Sequence, residues 1–219
     1  MGDDLLVRLG ALDTCAVSDA MDRLGLSGAV PGLAPLTGHR RIVGRVTTVR
    51  LGDAADTPPS GRHLGTAAVE ASGPGDVIVV EHGRTDVSGW GGILSLAAVG
   101  RGVEGVIVDG ACRDIDESRE LGLPLFARAA VPVTARGRVV ERDWNVPITV
   151  GGVGVAPGDL VIADGSGVVF LPAARAGEIL AAAEQVAERE RAMAEQVRAG
   201  VPVSQVMGAR YETMLQENR

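Results

Sequence analysis

One segment constrains this chain more than any other: a glycine cluster, then an apolar helix, then a buried strand that ends in Arg-Asp. It opens Gly89-Trp90-Gly91-Gly92-Ile93-Leu94 and closes Val106-Ile107-Val108-Asp109-Gly110-Ala111-Cys112-Arg113-Asp114. Such a segment belongs to an α/β fold, with the Arg-Asp pair at a strand's C-terminal end. Open α/β sheets place ligands at that end. A helix N-terminus offers unpaired N–H groups and the positive end of the dipole, which suits a carboxylate. Arginine adds a two-pronged donor for the same group. Aspartate beside it is a candidate ligand for a divalent metal. Together these parts describe a site for a small 2-oxo acid.

Each part also has a plainer explanation. Gly91-Gly92 is read either as a tight turn needing positive φ or as a cradle of backbone amides for an anion. Asp114, with Glu117 three residues on, fits a capping box at the start of the next helix. Arg113 is then an ordinary surface arginine. No G-x-G-x-x-G pattern occurs here, which argues against a dinucleotide site.

The remainder of the chain reads as one domain with strands and helices intermixed. Residues 5–25 have helical spacing, with Thr14 or Ser18 starting a second helix. Residues 28–41 read as loop and Ile42–Leu51 as a strand. A short helix over 64–72 leads through Pro74-Gly75-Asp76 into a strand, Val77–Glu81. Ile93–Val99 is expected to be helical and Val103–Val108 a buried strand. Ile115–Leu121 reads as a helix and Pro124–Ala127 as the start of a strand. Residues 131–150 read as a polar loop followed by a strand, Val146–Val150. Leu160–Ala163 and Val168–Leu171 form a hairpin around Asp164-Gly165-Ser166-Gly167. One long helix runs from Ala173 to about Arg198, so 173–219 is expected to be a helical arm.

On that helix Ile179, Leu180, Ala183, Val186, Ala187, Met193, Ala194 and Val197 form one apolar stripe. Glu190 falls at its centre. A carboxylate there needs a partner, either an arginine or a metal with its bound water.

Composition narrows the chemistry. The chain has 219 residues, 46% hydrophobic but only 2% aromatic, so its core is built from Val, Leu, Ile and Ala. The net charge of -7 argues against a general nucleic-acid binder. No apolar run approaches the ~20 residues of a membrane span. The start, Met1-Gly2-Asp3-Asp4, lacks the features of a secretory signal. Cys15 and Cys112 have no metal spacing and read as reduced thiols, so a cytoplasmic location is expected. All 21 basic residues are arginine. A chain without lysine cannot form a Schiff base, which excludes lysine-dependent aldolase and pyridoxal-phosphate chemistry. His39, His63 and His82 show no ligand spacing, and no Ser-His-Asp arrangement is evident.

Ordered blocks along the chain resemble the regulator of ribonuclease activity A family, which includes the 4-hydroxy-4-methyl-2-oxoglutarate/4-carboxy-4-hydroxy-2-oxoadipate aldolases. The blocks are Thr14–Ala20, Gly44–Val49, Pro74–Val77, Trp90-Gly91, Arg113-Asp114, Leu123–Ala127, Val146-Pro147, Gly151–Val153 and Pro157–Asp164. The resemblance implies an αββα-type sandwich with mixed sheets, assembled as a homotrimer or hexamer with sites between subunits. It implies that Gly91, Gly92, Ile93 and Leu94 bind a pyruvyl carboxylate through their amides. It implies that Arg113 contacts the 2-oxo acid and that Asp114 ligates Mg2+ or Mn2+. It also implies an acidic residue reaching in from the neighbouring subunit, matched here by Glu190. The implied activity is a metal-dependent carbon–carbon lyase, of the pyruvate aldolase or oxaloacetate decarboxylase type. The alternatives are a non-catalytic regulator acting through protein contacts, or a repurposed member acting on an unrelated metabolite. One departure stands out. The aldolases carry an aspartate twenty-one places before the arginine, and this chain has Gly92 there. Asp86 and Asp116 are candidates to compensate.

Overall fold

The computed structural model describes residues 2–58 and 61–208. The end of the expected C-terminal arm, 209–219, lies outside the described residues. Four parallel strands carry the fold: β3 (Ile42–Asp53), β4 (Asp76–Glu81), β5 (Gly105–Cys112) and β6 (Leu125–Ala130). The hairpin of β10 (Leu160–Asp164) and β11 (Gly167–Leu171) joins antiparallel along β3. Two short strands, β1 (Ala29–Val30) and β2 (Ala34–Pro35), close the two edges, within the stretch expected to be loop. A separate ribbon pairs β8 (Ile148–Val150) with β9 (Val153–Val155).

Alternation along the strands sorts the core into layers, because successive side chains point to opposite faces. Ile78 and Val80 of β4, with Val106 and Val108 of β5, pack under α3 (Thr66–Ala71) and α4 (Gly92–Arg101). Val77, Val79 and Ile107 face the other way, against Val161, Val168 and Phe170 of the hairpin and Ile148 and Val150 of the ribbon. The hairpin's opposite face, Leu160, Ile162, Val169 and Leu171, is covered by α1 (Gly2–Gly10), α2 (Thr14–Arg23) and α6 (Ala176–Arg198). One hydrogen-bonded mixed sheet therefore folds over itself, giving helix, sheet, sheet and helix layers with the long C-terminal helix outermost. Each fully buried Val or Ile in these layers contributes roughly 1.5–3 kcal/mol.

Residues 131–150 contain a further strand within the stretch whose polarity suggests a loop. β7 (Val139–Trp144) pairs antiparallel with the far end of β3, past a bulge between Arg50 and Leu51. Its alternation is masked because an inward position is Glu141, which is buried.

Candidate active site

The end of β5 and the start of α4 meet in one cleft. Gly91 precedes α4 in extended conformation, φ −158°, and no side chain next to it caps the helix. The cap comes from across the fold: Gly92 N–H donates to Asp114 Oδ2 at 2.9 Å. Arg113 N–H donates to the Trp90 carbonyl at 3.0 Å, and its Nε donates to the same Asp114 Oδ2 at 3.2 Å. Asp114 takes a left-handed backbone, φ 56°, one of two non-glycine residues with positive φ among those described. Strain of this kind concentrates at functional sites. It turns the Asp114 carboxylate away from its own helix, α5 (Ile115–Glu120), which receives no side-chain cap. The capping box expected from the Asp114–Glu117 spacing is therefore not formed.

The Glu117 side chain lies against Gly92 instead. A Cβ built on Gly92 would lie 2.0 Å from Glu117 Oε2 and 2.5 Å from its Cδ. A Cβ on Gly91 would lie 2.9 Å from Asp114 Oδ2. The two glycines thus admit two carboxylates and the Arg113 side chain at close range. Neither glycine has positive φ, so close approach and not turn geometry requires them. Glu117 was legible in the sequence only as a capping partner, and its contact with Gly92 is the feature that local spacing hides.

A buried hydrogen-bond chain fixes this arrangement from below. Trp90 Nε1 donates to Ser95 Oγ at 3.0 Å, and Ser95 Oγ meets Ser118 Oγ of α5 at 2.8 Å. Ser88 Oγ donates to the Trp90 carbonyl at 2.8 Å. Behind the loop, buried His82 bonds through Nε2 to the Val87 carbonyl at 2.7 Å, and burial pushes the imidazole below its ordinary range.

The cleft encloses about 210 Å³ and is lined by Gly91–Leu94, Arg113 and Asp114, with Ser88 and Trp90 beneath. His63, Leu64 and Thr134–Arg136 complete the lining. Gly91, Gly92, Ile93, Leu94, Arg113 and Asp114 thus lie together in one cleft, while Glu190, expected to reach in from a neighbouring subunit, lies elsewhere on its own chain. That residue lies half-buried beside Leu12, Asp13, Arg41 and Arg191, outside the cleft of its own chain. Burial, followed by the charges of Asp13 and Asp19, raises its carboxyl above the ordinary range. Neither proposed substitute for the missing aspartate joins the cleft. Asp86 is held by Arg84 at 2.7 Å, which lowers its carboxyl to about 2. Asp116 is 91% exposed and pairs with Arg119.

The family described as RraA-like, Aldolase/RraA, matches residues 14–170. The chain belongs to this family. A putative 4-hydroxy-4-methyl-2-oxoglutarate aldolase of Halalkalibacterium halodurans is 33% identical over 204 residues, covering 90% of this chain and 91% of that protein. A solved but uncharacterized protein of Pseudomonas syringae pv. tomato superposes with a TM-score of 0.84 at 31% identity, over 94% of this chain and 98% of the other. A Streptomyces coelicolor structure, described as an unusual member of the RNase ES inhibitor RraA family, gives 0.73 at 27% identity over 86% and 94% of the two chains. The RraA-like family therefore spans proteins described as aldolases and proteins described as ribonuclease inhibitors. Among the described residues, no helix is long and apolar enough to cross a membrane.

Proposed function

We propose that this RraA-like chain is a divalent-metal-dependent carbon–carbon lyase acting on a small 2-oxo acid, of the pyruvate aldolase or oxaloacetate decarboxylase type. The observation that carries the reading is the convergence of Arg113, Asp114 and Glu117 on the Gly91-Gly92 start of α4. Gly92 N–H is engaged by Asp114, so the amides of Ile93 and Leu94 are the ones available to a substrate carboxylate. Arg113 supplies the second contact to that group. Holding the carboxylate at two points fixes the 2-oxo group relative to the acidic pair, which is catalysis by positioning.

The acidic pair fits Mg2+ or Mn2+. No group of three or more potential ligands occurs among the described residues. Mg2+ nevertheless uses one or two carboxylates and keeps several waters. Asp114 would hold the ion, and Glu117 would orient its waters in place of the side chain that Gly92 lacks. A bound ion would polarise the 2-oxo group as a Lewis acid, the chemistry a chain without lysine requires.

Oligomerisation completes the reading. α4 turns Ile93 (77% exposed) and Leu96 (53%) outward beside the cleft, and Val197, Val203 and Met207 are exposed on the C-terminal arm. Apolar side chains clustered at a site rim mark a contact surface. In a trimer, or a hexamer of two trimers, a neighbour's Glu190 would enter the cleft that its own chain does not reach. Oxaloacetate decarboxylation assayed with Mg2+ and with a chelator tests the function. Metal-dependent turnover supports it, and no turnover of any 2-oxo acid defeats it.

A regulator acting through protein contacts is the second reading. It is favoured by the aspartate missing at Gly92 and by the likeness to the Streptomyces protein. It predicts a stable oligomer that binds neither Mg2+ nor pyruvate.

A further inference from the structure

We propose that Glu141 is a positioning residue that clamps the 61–65 segment against the cleft and thereby sets which C3 substituents a 2-oxo acid substrate can carry. This rests on the 2-oxo acid reading above. Glu141 stands on β7 with its side chain 1% exposed, on the same face as buried Val139. A buried carboxylate is costly, and an apolar residue at that position would serve the core better. Its contacts explain its presence. Gly65 N–H donates to Glu141 Oε2 at 2.7 Å, and Arg62 Nη2 lies 3.5 Å from Oε1. The next residue of the strand, Arg142, donates from Nε to Thr57 Oγ1 at 3.0 Å. Consecutive residues on opposite faces of β7 thus grip the same surface connection between β3 and α3.

The grip reaches the cleft through Gly65. That residue has φ 78°, and a Cβ on it would lie 3.2 Å from Trp90 Cζ3 and 3.3 Å from Leu94 Cδ1. Glu141 therefore holds a left-handed backbone turn directly against Trp90 and Leu94, which puts His63 and Leu64 into the cleft lining. The other part of that wall, Thr134–Arg136, leads straight into β7, and Val139 N–H donates to the Ala135 carbonyl at 2.9 Å. β7 and the segments tied to it accordingly carry the part of the cleft lining that lies outside residues 88–94, Arg113 and Asp114. With C1 on the Ile93 and Leu94 amides and on Arg113, only the group at C3 remains to meet it. Pyruvate presents a hydrogen-bearing methyl there, and oxaloacetate a second carboxylate.

The test compares Glu141→Leu and Glu141→Gln with wild type by hydrogen exchange over residues 61–66, pyruvate binding, and oxaloacetate kinetics with Mg2+. Glu141→Leu should speed exchange at 61–66 by about tenfold or more while α4 stays protected. The pyruvate Kd should stay within about twofold, KM for oxaloacetate should rise about tenfold, and kcat should change less than about threefold. Glu141→Gln keeps an acceptor for Gly65 and should fall between the two, with KM raised about two- to fourfold. If Glu141→Leu does not fold, the Gln variant decides: wild-type exchange and wild-type KM overturn the clamp. A folded Leu variant with unchanged exchange also overturns it. If wild type neither binds pyruvate nor turns over oxaloacetate, the function reading fails, and the exchange comparison alone judges the clamp.

Discussion

Introducing aspartate at Gly92 should destabilise the metal-free protein while Glu117 is present, and should not do so once Glu117 is removed. A Cβ at Gly92 falls 2.0 Å from Glu117 Oε2, so Glu117 must swing away. The atom that moves is the end of a flexible exposed side chain, so the steric cost is small. The backbone adds none, since Gly92 does not have positive φ. A carboxylate in the first turn of a helix gains about 0.3–1 kcal/mol from the dipole. Opposing this, two like charges 4 Å apart repel by about 1 kcal/mol in bulk water and about 4 kcal/mol at an effective dielectric of 20. For exposed groups near Asp114 we expect a net cost of about 1–2 kcal/mol, or a midpoint lowered by roughly 2–8 °C in a domain of this size. In the Glu117→Ala background the same change should cost about zero, giving a coupling of about 1–2 kcal/mol. Mg2+ affinity should fall about tenfold or more in Glu117→Ala and recover to within a few-fold in the double variant. Thermal unfolding with and without Mg2+, together with calorimetric titration, reads both quantities. Additivity within about 0.5 kcal/mol, with Mg2+ affinity indifferent to Glu117, would refute the substitution of Glu117 for the missing aspartate.

Three further outcomes follow. Arg113→Ala should weaken pyruvate binding about ten- to a hundredfold with little change in midpoint, because the ion pair it makes with Asp114 is solvent-exposed; calorimetry and thermal unfolding check this. Glu190→Gln should raise the midpoint of the dissociated chain at neutral pH, since burial and the charges of Asp13 and Asp19 disfavour the ionised carboxyl. It should also lower oxaloacetate turnover in the oligomer, and a gain in stability with full activity would remove Glu190 from the site. Burial lowers the His82 pKa, so the folded chain binds fewer protons than the unfolded chain below about pH 6.5. Stability should therefore decline as pH falls from about 6.5 toward the depressed value, and His82→Gln should flatten that slope in denaturant titrations.

Alternation made much of the fold readable. Leu160, Ile162, Val169 and Leu171 face one layer, and Val161, Val168 and Phe170 the other, as a period of two requires. β7 escaped because its inward Glu141 and flanking arginines mimic a polar loop. The meeting of these segments was legible too, since glycines before a helix and an Arg-Asp pair after a strand imply backbone donors beside a strand end, and the two line one cleft. The roles within it were less so. Asp114 and Glu117 have capping-box spacing, but Asp114 takes a left-handed turn with its carboxylate at Gly91 and Gly92, and Glu117 lies against Gly92. A contact between residues 92 and 117 depends on how two helices pack, which local spacing does not encode. The stripe on α6 marked Glu190 as a carboxylate on an apolar face, and the fold leaves it half-buried beside Asp13 and Arg41, outside the cleft of its own chain.

If Asp114 and the start of α4 bind a divalent ion and a 2-oxo acid together, the two ligands must be energetically coupled. Calorimetric titration of Mg2+ with and without pyruvate measures that coupling. Pyruvate should tighten Mg2+ and Mg2+ should tighten pyruvate by the same factor, as linkage requires. Asp114→Asn, which tolerates the left-handed backbone, should abolish both effects without unfolding the chain. Mg2+ and pyruvate that bind independently, or a folded Asp114→Asn variant that binds them like wild type, would contradict joint binding.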